Sequence, residues 1–361
     1  MEINSNILVL VNTTTRSVVK EKEKANQLKV SFYTVKGDLR QDNGFGYAGK
    51  NVRDSLLSLG HEVSFHDKSA DVQIDFCHPV YYNHYPNQYK IGYSPWESSS
   101  LPEGWLKGFN SVDEVWTPSE KCREWFTNAG VKKPIKVYEH GVEPLWSPKR
   151  RKPGRKVKFL HVGEPAPRKG GQLAFEAFIS AFGGSEDVHL TIKSNGPSTV
   201  RAFATGFHRG GPREILGQPH EVYRNVTVIS NSMGIDELVE LFHEHDVLVY
   251  PSFGEGFGLI PLQALATGMP TICTGAWAPY ERFLGELSLD SKEHPSPWPA
   301  MHPGNVYLPD KDHLVDLYRY SFNNIESLSD KSFDNSEKVH EEYNWNRLTK
   351  RAFEHLENKF S

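Results

Sequence analysis

Short apolar runs alternate with stretches of helical period along most of the chain. Lys29–Val35 is the first clear strand-like run. The string GFGYAGKNVRDSLLSLG from Gly44 then predicts a glycine-rich loop opening a helix that Gly60 stops. His61–His66, Val72–Phe76, Lys90–Tyr93, Val112–Trp116 and Ile135–Glu139 read as further strands. Ser119 is placed to cap a helix over Glu120–Thr127. Further on, Val157–Val162, Val188–Lys193, Val226–Ser230, Val247–Pro251 and Pro270–Thr274 read as strands. Gln172–Phe182, Ile235–His243 and Leu259–Ala266 read as helices. Strand and helix patterns in alternation are the mark of parallel βα units.

Two stretches break the pattern. Residues 147–158, SPKRRKPGRKVK, hold two Pro, one Gly and seven basic residues, which predicts a linker. Residues 194–225 are Gly/Pro-rich and basic with no clear period, which predicts a long loop or small insertion. The expected fold class is therefore α/β, with two Rossmann-like doubly wound domains facing a cleft. The expected boundaries are 1–148 for the first domain and 149–339 for the second. The last helix, about 340–361, should pack back on the first domain. Ligands in such sheets bind beyond the C-terminal strand ends, so the chemistry should lie in the cleft.

Composition narrows the picture. A length of 361 residues suits two such domains, and the net charge of −4 argues against a chain that binds nucleic acid or membrane by charge alone. No apolar run reaches the ~18 residues of a transmembrane helix. The start lacks a basic region before its short apolar stretch, so no signal peptide is expected. The KEKEK run at Lys20–Lys24 reads as solvated. Three cysteines far apart suggest neither a disulfide framework nor a zinc site, and a cytoplasmic location is the expectation. The surplus lies elsewhere, in 16 His, 8 Trp, 15 Tyr and 20 Phe.

Gly44-Phe45-Gly46-Tyr47-Ala48-Gly49 fits the GxGxxG pattern of dinucleotide sites, with Asp67 about 20 residues beyond. Gly44 to Lys50 also fits the start of a P-loop. Both motifs want their glycines directly after a strand, yet eight residues separate Val35 from Gly44. The P-loop also needs Ser or Thr where Asn51 stands. What remains is close approach to a phosphate or sugar by Gly44 and Gly46 at a helix start. Metal ligation finds no support. His243 and His245 do not share a helix face, and His78 and His84 lack a third partner. Asp310-Lys311-Asp312 sits where helix capping explains it.

The string Pro251-Ser252-Phe253-Gly254-Glu255-Gly256-Phe257-Gly258-Leu259 carries the most chemistry. A buried strand ends, a loop with three glycines follows, and a helix starts. The N–H groups of Phe257, Gly258 and Leu259 should point at the cleft, where the helix dipole favours an anion. Glu255 beside them is costly unless it accepts hydrogen bonds from hydroxyls, which suggests a sugar.

PSFGEGFGLIPLQALATGMPTICT resembles the donor-site signature of retaining GT-B glycosyltransferases of family 4. That signature has two Glu separated by seven residues. Glu255 matches the first, and Gln263 stands in place of the second. The resemblance implies that Gln263 holds the nucleotide ribose, without charge assistance. FLHVGE through Arg168-Lys169-Gly170 resembles the strand and basic loop that hold the donor diphosphate. VYEHGVEPLWSP, with His140, resembles the segment closing the first domain, and WNRLTKRAFEHL the last helix. The resemblance covers roughly residues 29–361. Many members carry a His after the strand matching Lys90–Tyr93, whereas this chain has Trp96 and Glu97.

These likenesses imply a metal-independent transferase with no cofactor beyond a nucleotide-diphosphate sugar as donor. Arg168, Lys169, Glu255 and Glu97 are its expected catalytic residues. Gly256, Phe257, Gly258, Leu259 and Gln263 should bind the donor, with Ser230 at the base and His140 on the facing side. Trp96 should stack on a sugar face. The acceptor hydroxyl belongs to a saccharide, a lipid-linked glycan or a hydroxymethylated base in DNA. The DNA alternative, that of a phage-type member, rests on the linker and on Lys193, Arg201, His208, Arg209, Arg213 and His220, interleaved with Phe203 and Phe207. A lapsed sugar-nucleotide-binding module and an NAD-dependent enzyme stand as further alternatives.

Overall fold

A computed structural model describes residues 27–35, 39, 44–86, 88–195 and 223–360. In the first half, strands β1 (Lys29–Tyr33), β2 (Glu62–Phe65), β3 (Val72–Phe76), β4 (Tyr89–Tyr93), β5 (Glu114–Thr117) and β6 (Ile135–Val137) form a parallel sheet in the order β2-β1-β3-β4-β5-β6. Helices α1 (Gly44–Ser58), α2 (Trp105–Phe109) and α3 (Glu120–Asn128) belong to this half. Register is set by apolar pairs such as Val30 with Val63 and Val72. Every residue of β3 and β5 is buried, as expected for strands covered on both faces.

In the second half, β7 (Val157–Val162), β8 (Val188–Lys193), β9 (Val226–Ile229), β10 (Val247–Tyr250), β11 (Thr271–Thr274) and β12 (Ser288–Leu289) form another parallel sheet. Its order, β12-β11-β10-β7-β8-β9, reverses between β7 and β10. That reversal opens the crevice in which doubly wound sheets bind ligands. Helices α4 (Gly171–Phe182), α5 (Ile235–His243) and α6 (Leu259–Ala266) connect these strands. Phe159, Phe175, Phe178, Leu190, Val249 and Ile272 pack the core under them, each fully buried.

Three features follow β12. A hairpin of β13 (Ser291–Pro295) and β14 (Asn305–Pro309) projects from the second half. Helices α7 (Lys311–Asn323) and α8 (Ile325–Glu342) come next. Asp310 caps α7 by accepting the His313 N–H at 3.0 Å, the capping role read from its sequence position. Last comes α9 (Trp345–Lys359), capped by Asn344. It crosses to the first half. Tyr138 and Thr349 share a hydrogen bond of 2.6 Å, Ser58 bonds Asn346 at 3.0 Å, and Phe353 sets its edge to Trp116 at 5.1 Å.

Local expectations needed correction at three places. Gly44–Gly49 is not a loop before a helix but the first turns of α1 itself. The stretch 147–158 is less free than its charge suggested. Arg151 is buried, and its guanidinium donates to the carbonyls of Phe242, His245 and Thr267 at 2.8–2.9 Å. It thereby satisfies carbonyls in the last turn of α5 and just past the ends of α5 and α6. The 291–309 hairpin had no alternating pattern to reveal it, since β13 is exposed along most of its length. The run Lys20–Lys24, the start of the chain, and Arg201, Phe203, Phe207, His208, Arg209, Arg213 and His220 lie outside the described residues. Among the described residues, no helix is long and apolar enough to cross a membrane.

Candidate active site

Three loops meet at the C-terminal ends of the strands. They are residues 94–100 after β4, 163–170 after β7 and 251–258 after β10. The approach is close enough to require glycine. A Cβ on Gly256 would collide with Pro95 and the Trp96 backbone. Cys122 Sγ sits under the junction, 3.3 Å from Trp96 O and 3.5 Å from Gly256 O. Gly258 has φ +81° and is the N-cap of α6, a conformation that side chains with a Cβ disfavour.

Glu255 lies at the centre. Lys169 Nζ reaches its two oxygens at 2.8 and 2.9 Å, and Arg168 Nη1 lies 3.2 Å from Oε1. Ser252 Oγ and Tyr250 OH donate to Oε1 at 2.8 and 3.0 Å. The sequence required hydroxyl donors for this carboxylate, and here the protein supplies two of its own. Burial alone would raise the Glu255 carboxyl, but Lys169 and Arg168 outweigh it and hold it at about 2. Arg168 is likewise desolvated, yet Glu255 and Glu97 push its pKa upward, so it stays charged. It also donates to Gly254 O, while its Nε has no hydrogen-bond partner. The cluster is a preformed set of fixed charges with little reorganisation left to do.

The other expected residues divide. Glu97 reaches the cluster, with Oε1 at 3.6 Å from Arg168 Nη2. It lies in coil, not at a helix start. Gln263 is buried in α6 with its Oε1 unpartnered. Leu259 opens α6, whereas Phe257 lies before it with a buried side chain against His140 (4.9 Å) and Tyr280 (5.7 Å). Ser230 follows β9 and is half-buried. Trp96 offers no face for stacking. It is buried, with Trp105 at 4.5 Å and His302 stacked at 5.4 Å, and its indole N–H is held by Ser100 O at 2.8 Å.

His140 is buried and bonded to Tyr93 OH through Nε2, with Nδ1 unpartnered. Burial pushes its pKa down to about 3, so the ring is neutral. Gly46 is buried inside α1, and Gly44 is exposed at its start.

Three groups escaped the sequence reading. Tyr250 OH and Ser252 bond Glu255, and their signal was only their place at a strand end. His302 comes from the hairpin loop, with Nε2 3.8 Å from Glu97. A small recess lies beside the cluster, lined by His161, Pro165, Gln172, Ile192 and Ser194 at the ends of β7 and β8. Among the described residues, no group of three or more His, Cys, Asp or Glu is placed to hold a metal ion.

The family model described as family 4 glycosyltransferase in conflict systems matches residues 119–347, more than half the chain. Over 144 residues the chain is 29% identical to D-inositol 3-phosphate glycosyltransferase of Corynebacterium glutamicum (strain R). That match covers 38% of this chain and 32% of the relative, so the chain spans about a third of that curated protein's length. Sucrose-phosphate synthase from Thermosynechococcus elongatus superposes with a TM-score of 0.65 at 14% identity, over 92% of this chain and 99% of that one. HepE of Anabaena, solved in complex with UDP-glucose, superposes with a TM-score of 0.63 at 11% identity, over 92% and 100%. At these identities the likeness establishes the fold, which is GT-B.

Proposed function

The chain belongs to the family 4 glycosyltransferases in conflict systems, and from that premise we propose that it moves a sugar from a nucleoside diphosphate to an acceptor hydroxyl with retention. The observation that carries this reading is Glu255, buried and ionised, between Lys169 and Arg168 at the end of β10. A carboxylate held this way can accept hydrogen bonds from sugar hydroxyls, and the two cations beside it match a diphosphate. The donor base would lie towards Ser230 and the recess by Ser194, and its ribose would meet the unpartnered Oε1 of Gln263.

Without donor, Glu255 balances the cations. With donor, the diphosphate shares them, and charge growing on the leaving phosphate is met by groups already in place. The bond from the sugar anomeric carbon to the phosphate oxygen breaks. The acceptor oxygen attacks on that same face, and its proton passes to the departing phosphate oxygen. No metal is required, because Arg168 and Lys169 supply the positive charge. Orientation and water exclusion between the two halves supply the rest. The acceptor is proposed as a saccharide or lipid-linked glycan hydroxyl.

The test is a panel of UDP, GDP, ADP and dTDP sugars, read first by thermal shift and then by transfer or slow donor hydrolysis. Lys169→Ala and Glu255→Gln should keep the fold and lose turnover. Wild-type turnover in both variants would rule out this site.

A further inference from the structure

The hairpin of β13 and β14 is tied to both walls of the cleft. On the first-half side, Ser99 N donates to Asn305 O at 2.9 Å, and Asn305 N donates to Ser99 Oγ at 2.7 Å. Ser100 N donates to Pro303 O at 3.3 Å. On the second-half side, Tyr307 N donates to Phe253 O at 2.8 Å, and Trp298 sets its edge to Phe253 at 5.3 Å. The loop between the strands is closed on itself, with Ser296 N bonded to Gly304 O at 2.8 Å and His302 N to Trp298 O at 2.8 Å. A side chain on this loop therefore has a fixed place relative to both halves.

His302 is that side chain. Its ring stacks on Trp96, and its Nε2 faces Glu97 Oε2 at 3.8 Å. On the other side of Glu97, Oε1 lies 3.6 Å from Arg168 Nη2. Both gaps exceed hydrogen-bond length, so Glu97 and the His302 Nε2 each keep a bonding direction unused. A hydroxyl both donates and accepts, and one placed here can donate to Glu97 while accepting from the ring. The charged groups facing the ring are Glu97, Arg168, Glu255 and Lys169, the same ones that form the donor cluster.

We propose that His302, carried by the hairpin, reads a hydroxyl of the donor sugar together with Glu97, and so sets which sugar the enzyme accepts. This rests on the glycosyltransferase reading of the cleft. It assigns a specificity role to an element outside the 251–274 signature. Because the hairpin grips residues 99–100, it also couples sugar recognition to the meeting of the two halves.

The test compares each nucleotide sugar with its free nucleoside diphosphate, by calorimetric titration of the full chain. His302→Phe keeps the ring stack on Trp96 and removes both nitrogens. His302→Gln keeps a polar tip. His302→Phe should weaken the preferred nucleotide sugar roughly tenfold while changing the free diphosphate less than about twofold, as for one lost hydrogen bond. His302→Gln should recover most of that loss. Equal weakening of sugar-bearing and free nucleotides, or no weakening of either, overturns the role of His302 alone. A wild-type protein that binds no member of the panel overturns the glycosyltransferase reading, and this one with it.

Discussion

The two walls of the cleft use polar residues in opposite ways. The second-half wall concentrates charge, with Arg168 and Lys169 each within 3.2 Å of Glu255, a carboxylate held at about 2. The first-half wall concentrates rings. Phe45, Phe76 and Tyr93 stack in succession at 4.4 and 4.5 Å, and Tyr93 continues to His140 at 6.1 Å. The buried His140 imidazole there is kept neutral. Glu97 carries first-half charge to the other side. Charge is thus placed on the wall proposed to hold the diphosphate, and stiff packing on the wall that faces it. The same contrast appears in the glycines, which allow the charged loop to lie directly on residues 95–97.

The largest effects should come from unbalancing the charged wall. Glu255→Ala leaves two desolvated cations without their anion, so unfolding free energy should fall by about 3 kcal/mol or more in urea titrations. Lys169→Ala should cost less stability but reduce transfer by roughly 100- to 1000-fold, the scale for removing one fixed charge from a transition state. A Lys169→Ala enzyme within about threefold of wild type would erase the distinction between the walls.

Acid titration reads one group in each wall. Glu255 has a folded pKa below its ordinary value, so its stabilisation is complete above pH 4.5 and is lost as pH falls towards about 2. His140 also has a depressed folded pKa, from 6.5 to about 3, but as a base it is neutral when folded. The unfolded chain takes up its proton first, so stability falls between pH 6.5 and 3. His140→Phe should flatten that window by more than about 1 kcal/mol and leave the loss below pH 3 unchanged. An unaltered profile between pH 6.5 and 3 would show that the ring wall does not depend on a neutral imidazole.

The smallest expected effect is a gain. Gln263→Glu restores a second carboxylate to the signature, and a charge-assisted bond to the ribose should tighten donor binding by about threefold to tenfold. Calorimetry reads this directly, and unchanged affinity would place the ribose elsewhere.

Much of this was legible in the sequence because parallel βα units write themselves plainly. Val72–Phe76, Val157–Val162, Val188–Lys193 and Leu259–Ala266 have the bounds their apolar runs suggested. Glu255, Arg168 and Lys169 stand together because each follows directly on a strand or precedes a helix, where chain geometry leaves little choice. Trp96 and His302 were not legible. Whether an indole offers its face to a sugar or to Trp105 depends on packing between segments far apart in the chain. The hairpin that carries His302 is stabilised by backbone bonds to residues 99, 100 and 253, and backbone bonds leave no side-chain pattern. The histidine surplus also resolves only in three dimensions. His161 and His245 are buried beside backbone carbonyls of Val249 and Leu241, at 2.9 and 2.7 Å, where they serve packing.

The most direct test of the charged wall as the donor site is a thermal-shift titration of the nucleotide-sugar panel against wild type and Lys169→Ala. We expect one nucleotide sugar to stabilise the wild type, by about 2.7 kcal/mol at a hundred times its Kd, and the same titration to leave Lys169→Ala almost unshifted. An equal shift in both proteins would contradict the assignment of Arg168, Lys169 and Glu255 to the donor.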